Sequence, residues 1–210
     1  MRWKEVILWL PLASLAALIL YAAVIRPWFL RWGATTEEAR KTLPGDSVLP
    51  DAPSAATRAI TIHAPPERVW PWLAQMGQGR GGFYSYAWLE NLFGCQMVNA
   101  DRIHPEWQDI KPGDGVRLAA KMAPIPVLLV EKNRALVLGS AAANGPIPPV
   151  TWAFVLEETP GHATRLLIRW RSQTPATLRD MLLNKYLLEP IHFTMERRMM
   201  LGLRERAESK

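Results

Sequence analysis

The sequence is poor in cysteine, contains no long run of basic residues and lacks the common metal and nucleotide motifs. Cys95 is its one cysteine in 210 residues, which excludes an internal disulfide and fits a reducing compartment. The histidines are scattered without metal-ligand spacing at His63, His104, His162 and His192. No Lys/Arg run resembles a nucleic-acid-binding arm. These absences predict no bound metal, no cofactor and no nucleic-acid partner.

Charge is also absent from the twenty residues Val6 to Ile25. That length matches a helical span of the ~30 Å hydrocarbon core of a bilayer. A cleaved signal peptide is the alternative, but its apolar region usually has about 7–15 residues and ends at a small-x-small site. This run is longer and is followed by Arg26, Pro27 and Trp28. We therefore predict an uncleaved membrane anchor in residues 1–32, with a transmembrane helix at about 6–25.

The basic residues beside this span predict its orientation. Arg2 and Lys4 precede it, whereas the C-terminal side carries Arg26, Arg31, Arg40 and Lys41. Because basic residues favour the cytoplasmic side, the main domain is predicted to be cytoplasmic, on a single-pass protein of the cell membrane. A formal net charge of +6 on such a chain favours an anionic lipid surface as partner.

The composition of the remaining chain is globular, with 49% hydrophobic and 21% charged residues overall. Residues 33–56 include LPGDSVLPDAPSAA, whose prolines, aspartates and serines predict an extended, solvated linker. Residues 57–210 then form the predicted soluble domain.

Alternating and β-branched segments predict about seven strands in this domain. They are Thr57–His63, Gln96–Ile103, Val116–Ala120, Pro126–Glu131, Ala135–Ser140, Val150–Glu158 and Thr164–Arg171. A helix is predicted to begin near Pro66, a short one after a Ser85 cap, and an amphipathic one over Leu178–Leu188 that Pro190 breaks or restarts. The order indicates an α+β fold in which a curved antiparallel sheet surrounds a long C-terminal helix and leaves a cavity.

The glycine-rich segment Gln75–Asn91, QMGQGRGGFYSYAWLEN, has two interpretations. Its aromatic residues either fill the core at a helix–turn–helix corner or form the wall of an apolar pocket. Arg80 and Glu90 either pair with each other, or Arg80 with Asp101, or Arg80 binds an anionic group of a ligand at a pocket mouth. Arg169, on a strand, is expected to face solvent.

Several segments resemble the SRPBCC superfamily of START-type helix-grip proteins, which includes polyketide cyclases, lipid-transfer domains and coenzyme-Q-binding proteins. The resemblance covers roughly Thr57 to Glu208 and is carried by TRAITIHAPPERVWPWLAQMGQGRGGFYSYAWLEN, NADRIHPEWQ, KPGDGVRL, VTWAFVLE and TRLLIRWR. The run Gly81–Tyr86 is similar to one bacterial subgroup, in which the next position is often acidic, whereas here it is Ala87.

The resemblance implies a hydrophobic cavity under the C-terminal helix. The residues expected to line it are Trp72, Met76, Arg80, Phe83, Tyr84, Tyr86, Trp88, Trp107, Trp152, Met195 and Met199. One hypothesis is membrane-anchored binding, or transfer, of a lipid, quinone, isoprenoid or polyketide. A second is a polyketide-cyclase-like enzyme that uses Tyr86 and Glu90 for proton transfer in the same cavity. A third is a non-catalytic partner of another membrane protein.

Overall fold

The computed structural model describes residues 3–142, 145, 148–173 and 177–209, with side chains from residue 12 onward. It is an α+β structure in which one antiparallel sheet packs against a long C-terminal helix, as the helix-grip expectation requires. The helices are α1 (Trp3–Leu20), α2 (Arg26–Leu30), α3 (Thr36–Arg40), α4 (Pro66–Ala74), α5 (Ala87–Leu92), α6 (Leu178–Leu183) and α7 (Glu189–Glu208). A π-helical turn joins α1 to α2 and another joins α6 to α7.

The described part of the chain forms a sheet of six strands rather than about seven. They are β1 (Ser54–Ile62), β2 (Gly115–Val116), β3 (Ile125–Glu131), β4 (Ala135–Ser140), β5 (Val150–Thr159) and β6 (Ala163–Ser172). All neighbours are antiparallel, in the order β1-β6-β5-β4-β3-β2. The long hairpin β5–β6 and its partner β1 therefore occupy one half of the sheet.

The predicted strand Gln96–Ile103 is wrong, because side-chain amides hold this segment in an irregular conformation. The side chain of Asn91 accepts a hydrogen bond from the Met97 amide at 2.6 Å and donates to the Met97 carbonyl at 2.9 Å. Asn99 similarly accepts from the Tyr84 amide and donates to the Ser85 carbonyl. These bonds satisfy backbone groups that a strand would pair in a ladder.

The inner face of the sheet carries the main core. Alternate residues of the long hairpin, Trp152, Phe154 and Leu156 on β5 and Leu166 and Ile168 on β6, pack with the buried face of α7. That face includes Met199, Met200, Leu203 and Ala207. The interior of the domain is therefore closed by the C-terminal half of α7.

The outer face is covered by residues 33–56, which correct the prediction of a solvated linker. Leu43 and Leu49 are buried, and Leu43 packs with Ala59, Val155 and Leu167. Helix α3 begins with a capping box between Thr35 and Glu38. The segment is thus a second layer of the domain.

Arginines of β6 fasten this layer, so the expectation that Arg169 faces solvent is also wrong. Arg169 is only 4% exposed and donates to the Asp46 carboxylate at 2.6 Å, to Thr57 Oγ1 and to the carbonyls of Glu38, Ala39 and Lys41. Its neighbour Arg165 binds the Glu38 carboxylate, which lowers the pKa of Glu38 to about 2. Backbone carbonyls of an irregular segment thereby pair with guanidinium groups instead of water.

The 31 residues from Leu178 to Glu208 form one continuous helical stretch. Pro190, predicted to break or restart it, lies in the first turn of α7, directly after the π-helical turn Asn184–Leu188. Proline has no N–H to donate, and the preceding π-helical turn already shifts the backbone hydrogen-bond pattern, so Pro190 is accommodated without ending the helix.

The N-terminal helix is also continuous, from Trp3 to Leu30 through its own π-helical turn Tyr21–Ile25. Within the described side chains, one helical segment, Leu12–Leu30, is long and apolar enough to cross a membrane, and a signal sequence passes the same test. Only 6% of this segment is buried against the rest of the chain.

Candidate functional site

The glycine-rich corner is a tight turn that follows α4 in the chain and packs against α7. Gly77 and Gly82 face each other as an isolated bridge, both with positive φ. A Cβ at Gly202 of α7 would lie 2.3 Å from the Tyr84 carbonyl oxygen, so the helix crosses the corner at backbone contact. The Tyr84 hydroxyl donates to the Trp72 carbonyl at 2.9 Å, and burial raises its pKa. The corner is built as the core interpretation expects.

Arg80 points away from this core into a surface cleft. Its guanidinium donates to the carbonyls of Ala74 at 2.9 Å and Trp107 at 2.7 Å. Partial burial lowers its pKa. It makes no ion pair with Glu90 or Asp101 among the described residues, so that predicted pairing is wrong. The cleft has a volume of about 580 Å³ and includes Asn99, Asp101, Arg102, His104 and Trp107.

The two weak catalytic candidates lie on α5. Tyr86 is the N-cap residue of that helix and is half-buried. One carboxylate oxygen of Glu90 is buried without a hydrogen-bond partner in the described structure, and burial raises its pKa. Ser85 does not cap the helix; its hydroxyl donates to the Met195 carbonyl at 2.9 Å.

The residues predicted to bind ligand separate into two groups. Six of them belong to the closed core, namely Trp72, Met76, Phe83, Tyr84, Trp152 and Met199. Inside it, the rings of Phe83 and Trp152 stack with centroids 5.8 Å apart. The other five are at least partly accessible, namely Arg80, Tyr86, Trp88, Trp107 and Met195. Trp88 is 66% exposed and does not point toward the interior, contrary to the prediction.

Few of the side chains predicted to bind ligand line a surface cleft in the described structure. The cleft of about 570 Å³ between α4 and the β3–β4 turn contains Trp70, Pro71, Ile103, Ile110 and Val130 together with Glu67, Gln108, Asp109, Lys132 and Asn133. A smaller one of about 190 Å³ contains Met195 beside Leu89 and Ile191. The expectation of a cavity under α7 is not met among the described residues, because buried side chains such as Phe83, Trp152 and Met199 fill that space.

A buried ion pair between β1 and α7 was missed from the sequence. Arg58 and Glu196 are each 1% exposed in their side chains, and Arg58 Nη1 donates to Glu196 Oε2. Trp152 Nε1 donates to the other carboxylate oxygen at 2.9 Å. Arg58 lies on the same face of β1 as Ile60 and Ile62, and this alternate spacing in TRAITIH is the signal that could have revealed it.

His192 borders the same cluster. Its ring meets those of Trp170 at 4.6 Å and Trp152 at 6.2 Å between centroids. Its Nε2 is buried, lies 3.5 Å from Glu196 Oε1 and has no hydrogen-bond partner in the described part of the chain. Burial lowers the pKa of His192. A compact polar centre thus lies in the apolar interior, at its end nearest the N-terminal helix.

The N-terminal helix is attached to the same cluster. Arg58 Nε donates to the Phe29 carbonyl at 2.8 Å, and the Arg58 guanidinium lies over the Phe193 ring at 5.2 Å. Phe193 contacts the rings of Trp28 and Phe29, with centroids 5.4 Å away in each case. Arg26 and Glu189 form a bidentate pair at 2.7 and 2.9 Å.

No three His, Cys, Asp or Glu side chains in the described structure cluster closely enough to hold a metal ion. The prediction of no cofactor remains a prediction.

No protein-family model and no curated protein matches the chain. It is similar to solved structures that include BH1534 of Bacillus halodurans, at 15% identity over 75% of this chain and 99% of that one, with a TM-score of 0.46. The Aha1 dimer of Colwellia psychrerythraea is 12% identical over 74% of this chain and 96% of that one, with a TM-score of 0.43. CalU16 of Micromonospora echinospora is 16% identical over 73% of this chain and 83% of that one, with a TM-score of 0.36.

The strand order and the packing of α7 on the sheet define a helix-grip fold, which is the fold that the sequence resemblance implies. Such a fold is consistent with binding a hydrophobic ligand. The distant likenesses decide nothing about which ligand or activity belongs to this chain.

Proposed function

We propose that the protein is a membrane-anchored binder of a hydrophobic small molecule, such as a lipid, quinone, isoprenoid or polyketide. The ligand is held in the interior of the helix-grip domain beneath α7. The N-terminal helix is an uncleaved single-pass anchor, and the domain lies on the cytoplasmic side.

The observation that carries this proposal is the attachment of the N-terminal helix to the helix that closes the interior. The Arg26–Glu189 pair is bidentate, and its side chains are only 27% and 13% exposed. The Phe193 ring adds contacts with Trp28 and Phe29. Cleavage of a signal peptide after the apolar run, at Ile25, would keep these contacts but would remove Tyr21, which donates to the Lys185 carbonyl and contacts the Tyr186 ring; the contacts of Tyr21 therefore favour an anchor. They also keep the N-terminal end of α7 beside the bilayer.

The composition of the interior supports an apolar ligand with one polar group. Phe83, Trp152 and Met199 are buried there, and the Arg58–Glu196 pair is the adjacent polar centre. Ligand sites commonly combine an apolar lining with a few placed polar groups. Methionine is unbranched and adapts to different shapes, so Met76 and Met199 can move aside more readily than branched side chains. Binding then proceeds by displacement of side chains that fill the closed conformation.

The test is native mass spectrometry and organic extraction of the full-length protein after gentle detergent solubilisation. We expect the wild-type protein to carry a co-purifying apolar molecule. Met199→Phe enlarges a core side chain and should reduce the bound fraction, whereas Met122→Phe makes the same change at a residue that is 52% exposed and should not.

Folding of both variants is checked by circular dichroism. If Met199→Phe does not fold, Met76→Phe replaces it, because Met76 is also buried in this core. Wild-type protein that is empty under all gentle detergents, or a ligand that both variants retain equally, would contradict the proposal.

A further inference from the structure

An exposed apolar surface on the C-terminal helix has no function in the closed domain. Over Leu178 to Ile191, the large apolar side chains are at least 39% exposed. They are Leu178, Met181, Leu182, Leu183, Tyr186, Leu187, Leu188 and Ile191. A monomeric soluble protein rarely leaves so many neighbouring apolar side chains in water. This surface, Leu178–Ile191, is called the apolar ramp below.

The C-terminal part of the apolar ramp meets the N-terminal helix near the end of its apolar span. The Tyr21 hydroxyl donates to the Lys185 carbonyl across 164 residues of sequence, and Arg26 pairs with Glu189 across 163. Tyr21 and Tyr186 also contact each other, with ring centroids 5.2 Å apart. Because the partners advance together along both helices, the helices point in the same direction and stay in register where they meet.

This register places the ramp at the membrane boundary if the N-terminal helix spans the bilayer. Arg26, which pairs with Glu189, is the first charged residue after the apolar span, and tyrosines such as Tyr21 and Tyr186 are enriched at the headgroup level. The contact between the two helices, near the C-terminal end of the ramp, therefore lies at the level where headgroups meet acyl chains. At that level, neither helix is surrounded by water.

The charges on the ramp suit a lipid surface. Arg179 and Lys185 have long stems that allow the cationic group to reach lipid phosphates while the stem stays among apolar groups. The carboxylate of Asp180 accepts a hydrogen bond from Thr177, whose hydroxyl caps α6 in return. Helices with an apolar face and basic polar residues lie in the interface of anionic bilayers.

The exposed apolar surface continues onto α5. Leu89 of that helix shares a cleft with Pro190 and Ile191. Beyond it, Trp88 and Phe93 are 66% and 78% exposed. Exposed aromatic rings at this position extend the same surface across two elements, as a membrane-facing side of the domain does.

We infer that the apolar ramp, Leu178–Ile191, lies in the headgroup–acyl boundary of the bilayer that holds the N-terminal helix. The occupant of this surface is lipid. The inference rests on the proposed anchor and adds a second membrane contact, which brings the N-terminal end of the closing helix into the leaflet. A hydrophobic ligand can then pass between the acyl chains and the domain without crossing water.

The experiment measures lipid exposure of single positions in the full-length protein, reconstituted in vesicles of phosphatidylcholine and phosphatidylglycerol. On a Cys95→Ser background, single cysteines replace Leu182 and Leu187 of the ramp, Leu18 of the N-terminal helix and Met122 of an exposed loop outside the ramp. Each receives a nitroxide spin label, and its relaxation by oxygen is compared with that by a water-soluble nickel chelate. Oxygen concentrates in acyl chains and the chelate in water.

We expect the oxygen-to-nickel ratio at Leu182→Cys and Leu187→Cys to exceed that at Met122→Cys several-fold and to approach that at Leu18→Cys. A lipid-like ratio at Leu18→Cys with a water-like ratio at both ramp positions would overturn the inference and leave the anchor standing. A water-like ratio at all four would overturn the anchor and the ramp together. Low access of both reagents at the ramp, rising as the protein-to-lipid ratio is lowered, would indicate a second copy of the chain as occupant and would also overturn it.

Discussion

The two halves of the C-terminal helix have similar apolar content and opposite surroundings. In the second half, Met200 and Leu203 are 0% exposed and close the core against the sheet. In the first half, Leu178 and Leu187 are 70% and 50% exposed. The comparison teaches that apolar periodicity specifies contact with something apolar without saying whether that is protein or lipid.

The boundary between the halves is marked by charge rather than by a break in the helix. Glu196 lies one turn after His192 and is buried by its pair with Arg58. Glu189 lies at the start of α7 and is only partly buried by its pair with Arg26. One continuous helix therefore passes from an accessible ion pair to a fully enclosed one within two turns. Substitutions on either side of this boundary should have very different effects.

The largest effect is expected from Arg58→Met. It leaves Glu196 buried without its cation and the Phe29 carbonyl without its donor, so the free energy of unfolding should fall by about 3–5 kcal/mol. Denaturation of the full-length protein in detergent micelles, followed by tryptophan fluorescence, measures this. The double variant Arg58→Met/Glu196→Leu removes both charges and should recover most of the loss. A loss below about 1 kcal/mol in the single variant would show that water reaches Glu196.

The next effect compares one substitution in both halves of the helix. Leu203→Ala leaves a cavity in a closed core and should cost about 2–5 kcal/mol, whereas Leu187→Ala in micelles should change the free energy of unfolding by less than about 0.5 kcal/mol. The same micellar denaturation serves for both. Equal costs would mean that the first half is packed against protein, which contradicts the contrast drawn from their exposure.

A smaller effect is expected from the ion pair that joins the N-terminal helix to α7. Glu189→Gln weakens a bidentate, partly buried contact with Arg26 and should cost about 1 kcal/mol. Glu205→Gln is its control on the same helix, because the Arg198–Glu205 pair is more exposed, at 31% and 54%, and should cost less than about 0.5 kcal/mol. A Glu189→Gln variant as stable as Glu205→Gln would show that the aromatic contacts of Phe193 suffice to join the helices.

Much of the sheet was predictable because its strands are runs of apolar and β-branched residues bounded by turn residues. Ala135–Ser140 was predicted with the bounds of β4, and the β5–β6 hairpin to within a residue at each end. The outer layer was not predictable from composition. Leu43 and Leu49 stand among prolines and glycine, and nothing local shows that guanidinium groups from β6 will pair with the carbonyls of this segment. Such pairing depends on contacts between residues over a hundred positions apart.

The candidate site was likewise predictable in part. Some of the aromatic and methionine residues expected around an interior space pack together in the core, where they fill the space instead of lining a cavity. Trp152 and Met199 follow the inward periodicity of β5 and α7, whereas Phe83 lies in the irregular corner after α4. Trp88 was misplaced because a helix of six residues is too short for its pattern to reveal its buried side. Arg58 was overlooked because a charged residue on an inward strand position is expected to be rare unless it is paired. Its partner, Glu196, lies 138 residues away.

The smallest effect is a pH dependence at the boundary between the two halves of the helix. Burial lowers the pKa of His192 below the ordinary 6.5, so the unfolded chain binds more protons than the folded one just below pH 6.5. The stabilisation is complete above pH 6.5 and is lost progressively as the pH falls from 6.5 toward the folded-state pKa. Glu196 and Glu189 raise this pKa and Arg58 lowers it further.

Because the imidazole side chain is 30% exposed although its Nε2 is buried, we expect a slope well below the limit of about 1.4 kcal/mol per pH unit for one proton. His192→Gln should flatten the dependence of the free energy of unfolding between about pH 7 and pH 5, where an unperturbed histidine titrates. His162→Gln, at a side chain that is 88% exposed, should leave the wild-type slope unchanged. If the free energy of unfolding keeps the same pH dependence in His192→Gln, the His192 ring is already in contact with water in the folded protein. The buried half of the helix would then begin nearer Met199.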